Sequence, residues 1–128
     1  MEFLEISEGI LHGLKFLFWA LATHLFHYRQ NFYHWSLLLP LYTLYPLAAI
    51  LLVAELYPVD WILTLLAINL VITIAAHLWG VYLHWDGVRK RVGGQNIHNH
   101  MVGPPVILPL IVVTVATIDL VRLLQGGF

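Results

Sequence analysis

The sequence predicts an all-α integral membrane protein, a small bundle of four candidate transmembrane helices over about residues 9–28, 36–56, 61–84 and 103–124. Three observations lead there. Apolar residues make up 60% of the chain and charged residues only 10%, with a mean hydropathy of +0.81. A soluble domain carries about 25% charged residues and needs them to solvate its surface. Apolar runs recur at lengths near the roughly 20 residues that cross a ~30 Å hydrocarbon layer at 1.5 Å per residue. Short polar segments holding proline, glycine or charge separate these runs. With 128 residues, one membrane-embedded domain is expected and no separate soluble one.

The first run, GILHGLKFLFWALATHLFHY (9–28), belongs to a helix that places Glu5, Glu8, His12, Lys15, Trp19, Thr23 and His27 on one stripe. Leu, Phe, Ala and Ile fill the rest. This pattern fits a span whose polar stripe meets a partner, and also an amphipathic helix lying in the headgroup plane. The breadth of its apolar face favours the span. RQNFYHW (29–35) has the polar and aromatic composition of a membrane–water interface. The second run, 36–56, contains Pro40 and Pro46, each a point where a membrane helix can kink. Pro58 ends it, and Asp60 is suited to N-cap the next helix. The third run goes from Trp61 to Tyr82 or His84, and Gly93-Gly94 predicts a loop from Asp86 to Asn99. The last begins at Gly103, with Pro104 and Pro105 in its first turn. Val112, Val113, Thr114, Val115 and Ile118 would favour a strand in water, but burial in lipid overrides that preference.

Charge and composition narrow the function. The absence of cysteine excludes disulfides, thiolate metal sites, iron–sulfur ligation and cysteine nucleophiles. A net charge of −1 without a basic groove points to no nucleic-acid partner. The acidic start MEFLEISEG lacks the positive region of a signal peptide, so the chain is expected to enter the membrane through its own spans. No Gly-rich phosphate loop or G-x-S-x-G occurs, and neither Ser7 nor Ser36 sits beside a catalytic base. A self-contained hydrolase or NTP-using enzyme is therefore disfavoured. Arg29, Arg89, Lys90 and Arg91 gather at one end of the spans. Glu2, Glu5, Glu8, Glu55, Asp60 and Asp119, with Lys15 and Arg122, gather at the other. The positive-inside rule then puts the histidine-rich loop 85–102 on the cytoplasmic side of a cell inner (cytoplasmic) membrane. With four spans both termini would lie outside. With three spans and a surface helix, only the C-terminus would.

On this topology His24, His27, His34, His77, His84, His98 and His100 fall in the cytoplasmic half, and only His12 lies towards the other. Histidines at an interface are often simply hydrated. His77 differs, because it lies inside the third span beside Ala75-Ala76 and before Trp79-Gly80. Polar groups at that depth face a partner, a cavity or a ligand, and small neighbours let a helix or flat ligand approach. A hydrogen bond to a neighbouring helix is the plain alternative. His84 follows two turns later on the same face, so the pair could supply an axial haem b ligand together with a propionate or quinone contact. His24 with His27, and His98 with His100, resemble the histidine boxes of membrane di-iron oxygenases, since imidazole suits iron, copper and zinc. However, no HxxHH is present. Asn69 and Thr73, a turn apart, are expected to bond across helices.

Ile68-Asn69-Leu70, Ala75-Ala76-His77, Met101 with Gly103-Pro104, and Val113-Thr114-Val115-Ala116-Thr117-Ile118 together carry a resemblance. Over about residues 63–124 the chain resembles the C-type membrane anchor of the four-subunit fumarate reductases, within the succinate dehydrogenase/fumarate reductase anchor type. The resemblance implies a three-span subunit with a cytoplasmic loop between its second and third spans. It also implies a second anchor subunit that completes the bundle, and soluble flavin and iron–sulfur subunits docked on both. Menaquinol is oxidised near the cytoplasmic surface in that family, and the histidine lining the site matches His77. The family's Arg-Glu pair at its first span is matched by Arg29-Gln30, and Gln30 takes no proton, although His34 stands nearby. Val102 interrupts the family's Met-Gly-Pro, and the first 28 residues exceed what the family needs. So many histidines leave haem b open.

The expected function is thus a membrane anchor and quinone-site subunit, not catalytic alone, that binds menaquinone or ubiquinone between His77, Trp79 and the Arg29 neighbourhood. The basic run Arg89-Lys90-Arg91 would dock a partner or anionic lipid headgroups. The competing expectation is a structural accessory subunit of another membrane complex, holding pigment, haem or lipid through the histidine-rich side.

Overall fold

The computed structural model describes residues 2–28, 34–91, 94, 96–98 and 106–127. Its long helices are α1 (Glu2–Tyr28), α2 (Leu39–Leu56), α3 (Asp60–Arg91) and α4 (Ile107–Leu124), with a 3-10 turn at Trp35–Leu37 before α2. Each neighbour in sequence packs on the next, α1 on α2, α2 on α3 and α3 on α4, as in an up-and-down bundle. All four are long and apolar enough to cross a membrane. No strand occurs among the described residues. The chain is an all-α four-helix bundle, and α1 is a packed member of it.

Burial runs opposite to that of a water-soluble bundle. Leu11, Phe18, Leu21 and Leu25 of α1 and Ile68, Val71 and Ile72 of α3 point outwards, while Thr43, Thr73, His77 and Asp119 are buried. Such broad apolar exteriors are covered in life by lipid or another helix. The core is built mainly on α2, where Leu44, Leu47 and Leu51 are fully buried against Phe16 and Ala20 of α1, Leu66 and Leu70 of α3 and Ala116 of α4. Four threonines bond back to carbonyls of their own helices. Thr43, Thr64, Thr114 and Thr117 donate to the carbonyls of Pro40, Asp60, Leu110 and Val113, the local back-bonding that lets a hydroxyl sit in lipid.

Gly9 and Gly13 set the α1–α2 contact. Both are buried. A Cβ at Gly9 would run into the Glu55 carboxylate, and one at Gly13 would stand 2.6 Å from Leu52 Cδ2. Two small residues four apart let one helix lie close on another.

Several expectations are corrected. Helix α3 does not stop near His84 but continues to Arg91, so residues Asp86 to Arg91, expected in a loop, are helical. Asp86 lies 2.7 Å from both Arg89 and Lys90 at i,i+3 and i,i+4, pairs that stabilise an exposed helical turn. Gly94, with φ +133°, lies beyond this extension and not within it. Thr73 donates to Asn69 Oδ1 at 3.3 Å along the same helix, where a bond between helices was expected. Pro40 falls in the first turn of α2, where no N–H is needed and no kink results; Pro46 lies in the helix interior. Helix α4 opens at Ile107 with Pro109 in its first turn, whereas Gly103, Pro104 and Pro105 lie outside the described residues.

Substituting Gly13→Leu should overpack the α1–α2 contact and destabilise the chain by about 1–3 kcal/mol. Thermal unfolding of the purified protein in detergent checks this. Adding Leu52→Ala should recover part of the loss, and no recovery would mean that Leu52 is not what Gly13 accommodates.

Candidate functional site

One end of the bundle, where α1 and α3 finish and α2 and α4 start, encloses a cavity of 390 Å³. Helix α1 supplies Trp19, Thr23 and His27, spaced by four and so on one face. The segment before α2 supplies His34, Ser36 and Leu37, and α4 supplies Leu108, Pro109 and Val112. From α3 come His77, Trp79, Gly80 and His84, with Asp86 and Lys90 further along. Ala76, Gly80 and Gly87 on that wall carry too little side chain to fill the space. The sequence candidates His27, His34, His77, Trp79 and His84 are thus gathered around one cavity from three segments.

His77 is the most constrained of them. Its side chain is 3% exposed. Nδ1 lies 2.8 Å from the Thr73 carbonyl oxygen, which can only accept, so Nδ1 carries the hydrogen. In the neutral ring Nε2 then holds a lone pair, and this buried atom has no hydrogen-bond partner. Buried polar atoms are nearly always paired, and no protein group supplies the partner here. An acceptor left open in a cavity wall is an invitation to a donor or a metal.

His27 repeats the arrangement. Its Nδ1 donates to the Leu37 carbonyl at 2.6 Å, which fastens the end of α1 to the turn before α2 and leaves Nε2 as the acceptor. His34 has the opposite sense. Its Nδ1 accepts from the Ser36 backbone N–H at 3.3 Å and sits 2.8 Å from Ser36 Oγ, so in the neutral ring Nε2 carries the hydrogen. Acceptor and donor imidazoles therefore border the same cavity. Trp79 leans on Tyr82 with ring centroids 5.3 Å apart.

The remaining candidates are not brought in. His24 does not line the cavity; its Nδ1 lies 2.9 Å from the Tyr45 hydroxyl, on an exposed surface. His98 is exposed beyond α3, while Arg29 and His100 lie outside the described residues. No group of three or more His, Asp or Glu side chains able to hold a metal ion forms among the described residues, so the histidine-box grouping is not assembled there.

A second polar cluster, absent from the sequence candidates, occupies the other end. Asp119 of α4 is 1% exposed. His12 Nε2 lies 2.6 Å from Asp119 Oδ1, and Lys15 Nζ lies 3.1 Å from Oδ2. Both partners come from the polar stripe of α1. The signal was present in the sequence, because two opposite charges placed well inside apolar spans are costly unless they meet. No known protein family matches the chain, and no curated protein or solved structure does.

The hydrogen bonds fix a measurable property. In ¹⁵N spectra of the histidine-labelled protein, neutral His27 and His77 should be protonated at Nδ1, the less common tautomer, and His34 at Nε2. Nδ1 signals of the unprotonated type for His77 would show that its bond to Thr73 is not made.

Proposed function

We propose that this chain is a membrane anchor and quinone-site subunit of a respiratory oxidoreductase complex of the fumarate reductase or succinate dehydrogenase type. Its main support is the unpartnered Nε2 of His77 in the wall of the 390 Å³ cavity. That volume falls within the about 300–1,000 Å³ of small-molecule sites. A quinol hydroxyl is the donor that Nε2 lacks, and the N–H of His34 suits a quinone oxygen. Trp19 and Leu108 add apolar walls for the ring.

Oxidation of a quinol releases two protons and two electrons. His77 accepts one proton at Nε2, work suited to an imidazole near neutral pH, and the other leaves past His84 and the exposed Lys90. The two electrons would go to an iron–sulfur cluster held by a soluble partner, since this chain has no cysteine to hold one. A second anchor subunit and lipid cover the outward apolar faces, and flavin and iron–sulfur subunits dock at the basic end of α3. By the positive-inside rule that end is cytoplasmic. Menaquinone and ubiquinone fit the chemistry equally.

Haem b also fits the residues. Nε2 of His77 could ligate iron, and its Nδ1–H bond to a backbone carbonyl is the outer support that ligating histidines use. His27 has the same support. A bound haem would supply one-electron transfer.

The test is made on the complex purified from membranes. Quinone should be extracted in stoichiometric amount, and a Soret band would report haem. His77→Leu should lower quinol turnover at least about tenfold with assembly intact, while His24→Leu leaves it unchanged. Full turnover in His77→Leu would remove this reading. A colourless, quinone-free chain purifying with an unrelated complex would favour a structural accessory subunit that holds lipid.

A further inference from the structure

We infer that the ligand of the histidine cavity is an amphiphile whose apolar tail leaves through a seam between α1 and α4, on the cavity side of the bridge from Asp119 to His12 and Lys15. The inference rests on the quinone reading and goes beyond it, by giving the tail a place and the ligand a way in.

The seam follows from how the helices close on one another. Extensive backbone packing joins α1 to α2, α2 to α3 and α3 to α4, and is not found between α4 and α1 among the described residues. There side chains make the tie instead, with His12 and Lys15 reaching over to Asp119. Both helices nonetheless wall the cavity, α1 with Trp19 and Thr23 and α4 with Leu108 and Val112. The side of the cavity between them is therefore the one that no close helix packing shuts. The bridge sets its far edge. Lys15 stands about 6 Å beyond Trp19 along α1, and Asp119 about 10 Å beyond Val112 along α4. Phe26 lines the cavity and is 50% exposed, so that wall runs out onto the surface of α1.

The two ways out of the cavity differ in chemistry. Towards the end of the bundle stand His34, Ser36, His84, Asp86 and the exposed Lys90. Towards the seam stand Trp19, Leu108 and Val112, and outside them lie the apolar exteriors of α1 and α4, where Phe18, Leu21, Ile118 and Val121 are exposed. A tail leaving past Asp86 and Lys90 would give up apolar contact for headgroups and water, which the hydrophobic effect opposes. A tail leaving through the seam passes from apolar wall to acyl chains. The open Nε2 of the buried His77, beside Ala76 in the wall, fixes which part of the molecule enters. It calls for a polar head, so the tail trails outwards. Further along the seam the charged side chains of the bridge stand in the way, and a chain of methylenes gains nothing there. The ligand class is thus a ring bearing hydroxyl or carbonyl groups on a long alkyl or isoprenoid chain.

Two photoreactive quinones locate the two parts in the complex purified from membranes and returned to lipid bilayers. One carries a diazirine on its ring, the other at the end of an alkyl tail. Cross-links lost when unmodified quinone is added in excess are the specific ones, and mass spectrometry places them. The ring probe should label α3 around His77. The tail probe should label α1 between Lys15 and Phe26 and α4 between Leu108 and Asp119. A ring found in the cavity with its tail on Ser36, Leu37 or residues 84–91 would overturn the inference and leave the quinone reading standing. So would tail labelling confined to α2 or to a partner subunit, or spread over the outward faces and insensitive to the competitor. Ring labelling that no competitor reduces would remove the quinone reading, and this inference with it.

Discussion

A bilayer offers no water to a stranded polar atom, and that single constraint explains most of what is built here. Each buried hydroxyl or imidazole must find its partner within the bundle. Threonines turn back onto their own helices, His27 caps a carbonyl before α2, and Asp119 collects two partners from α1. Two buried atoms among the described residues stand outside this pairing, Nε2 of His77 and Oδ2 of Asp119, and of these only Oδ2 has a charge beside it, the Lys15 ammonium 3.1 Å away.

The two ends of the bundle solve the same problem differently. At one end, four imidazoles border a space, and that of His77 keeps a buried nitrogen without a hydrogen-bond partner. At the other, a cation, an anion and a ring lie in direct contact with no space between them. The stripe on α1 serves both, because its members at three- and four-residue spacing run from His12 and Lys15 through Trp19 and Thr23 to His27. Trp19 stands between them, lining the cavity and packed on the core.

Much of this was legible in the chain itself. Low charge and long apolar runs give the helices, Pro58 divides α2 from α3, and the depth of His77 marks it for a role. The α1 stripe was equally readable, although its partner was not: nothing in residues 9–28 says that Asp119 lies opposite. Rotation was the larger gap. Helices α2 and α3 are apolar on all sides, so periodicity cannot separate the face towards Leu66 and Leu70 from the face towards lipid. The end of α3 was misjudged for a related reason. Gly93-Gly94 was read as breaking the helix from Asp86 onwards, whereas Asp86 pairs with Arg89 and Lys90 and carries the helix to Arg91 before those glycines matter.

The length of α3 sets the depth at which everything along it operates. Trp61 and Tyr82 are both exposed and stand about 31 Å apart along the axis, close to the ~30 Å between the two aromatic girdles of a typical membrane. His77, five residues inside Tyr82, then sits roughly 7 Å below the headgroups. A molecule with a polar head and a long oily tail would arrive there sideways, gliding in from the acyl chains with its head already at the right height. Occupancy would follow how many such molecules share the leaflet, and their solubility in the surrounding fluid would hardly matter.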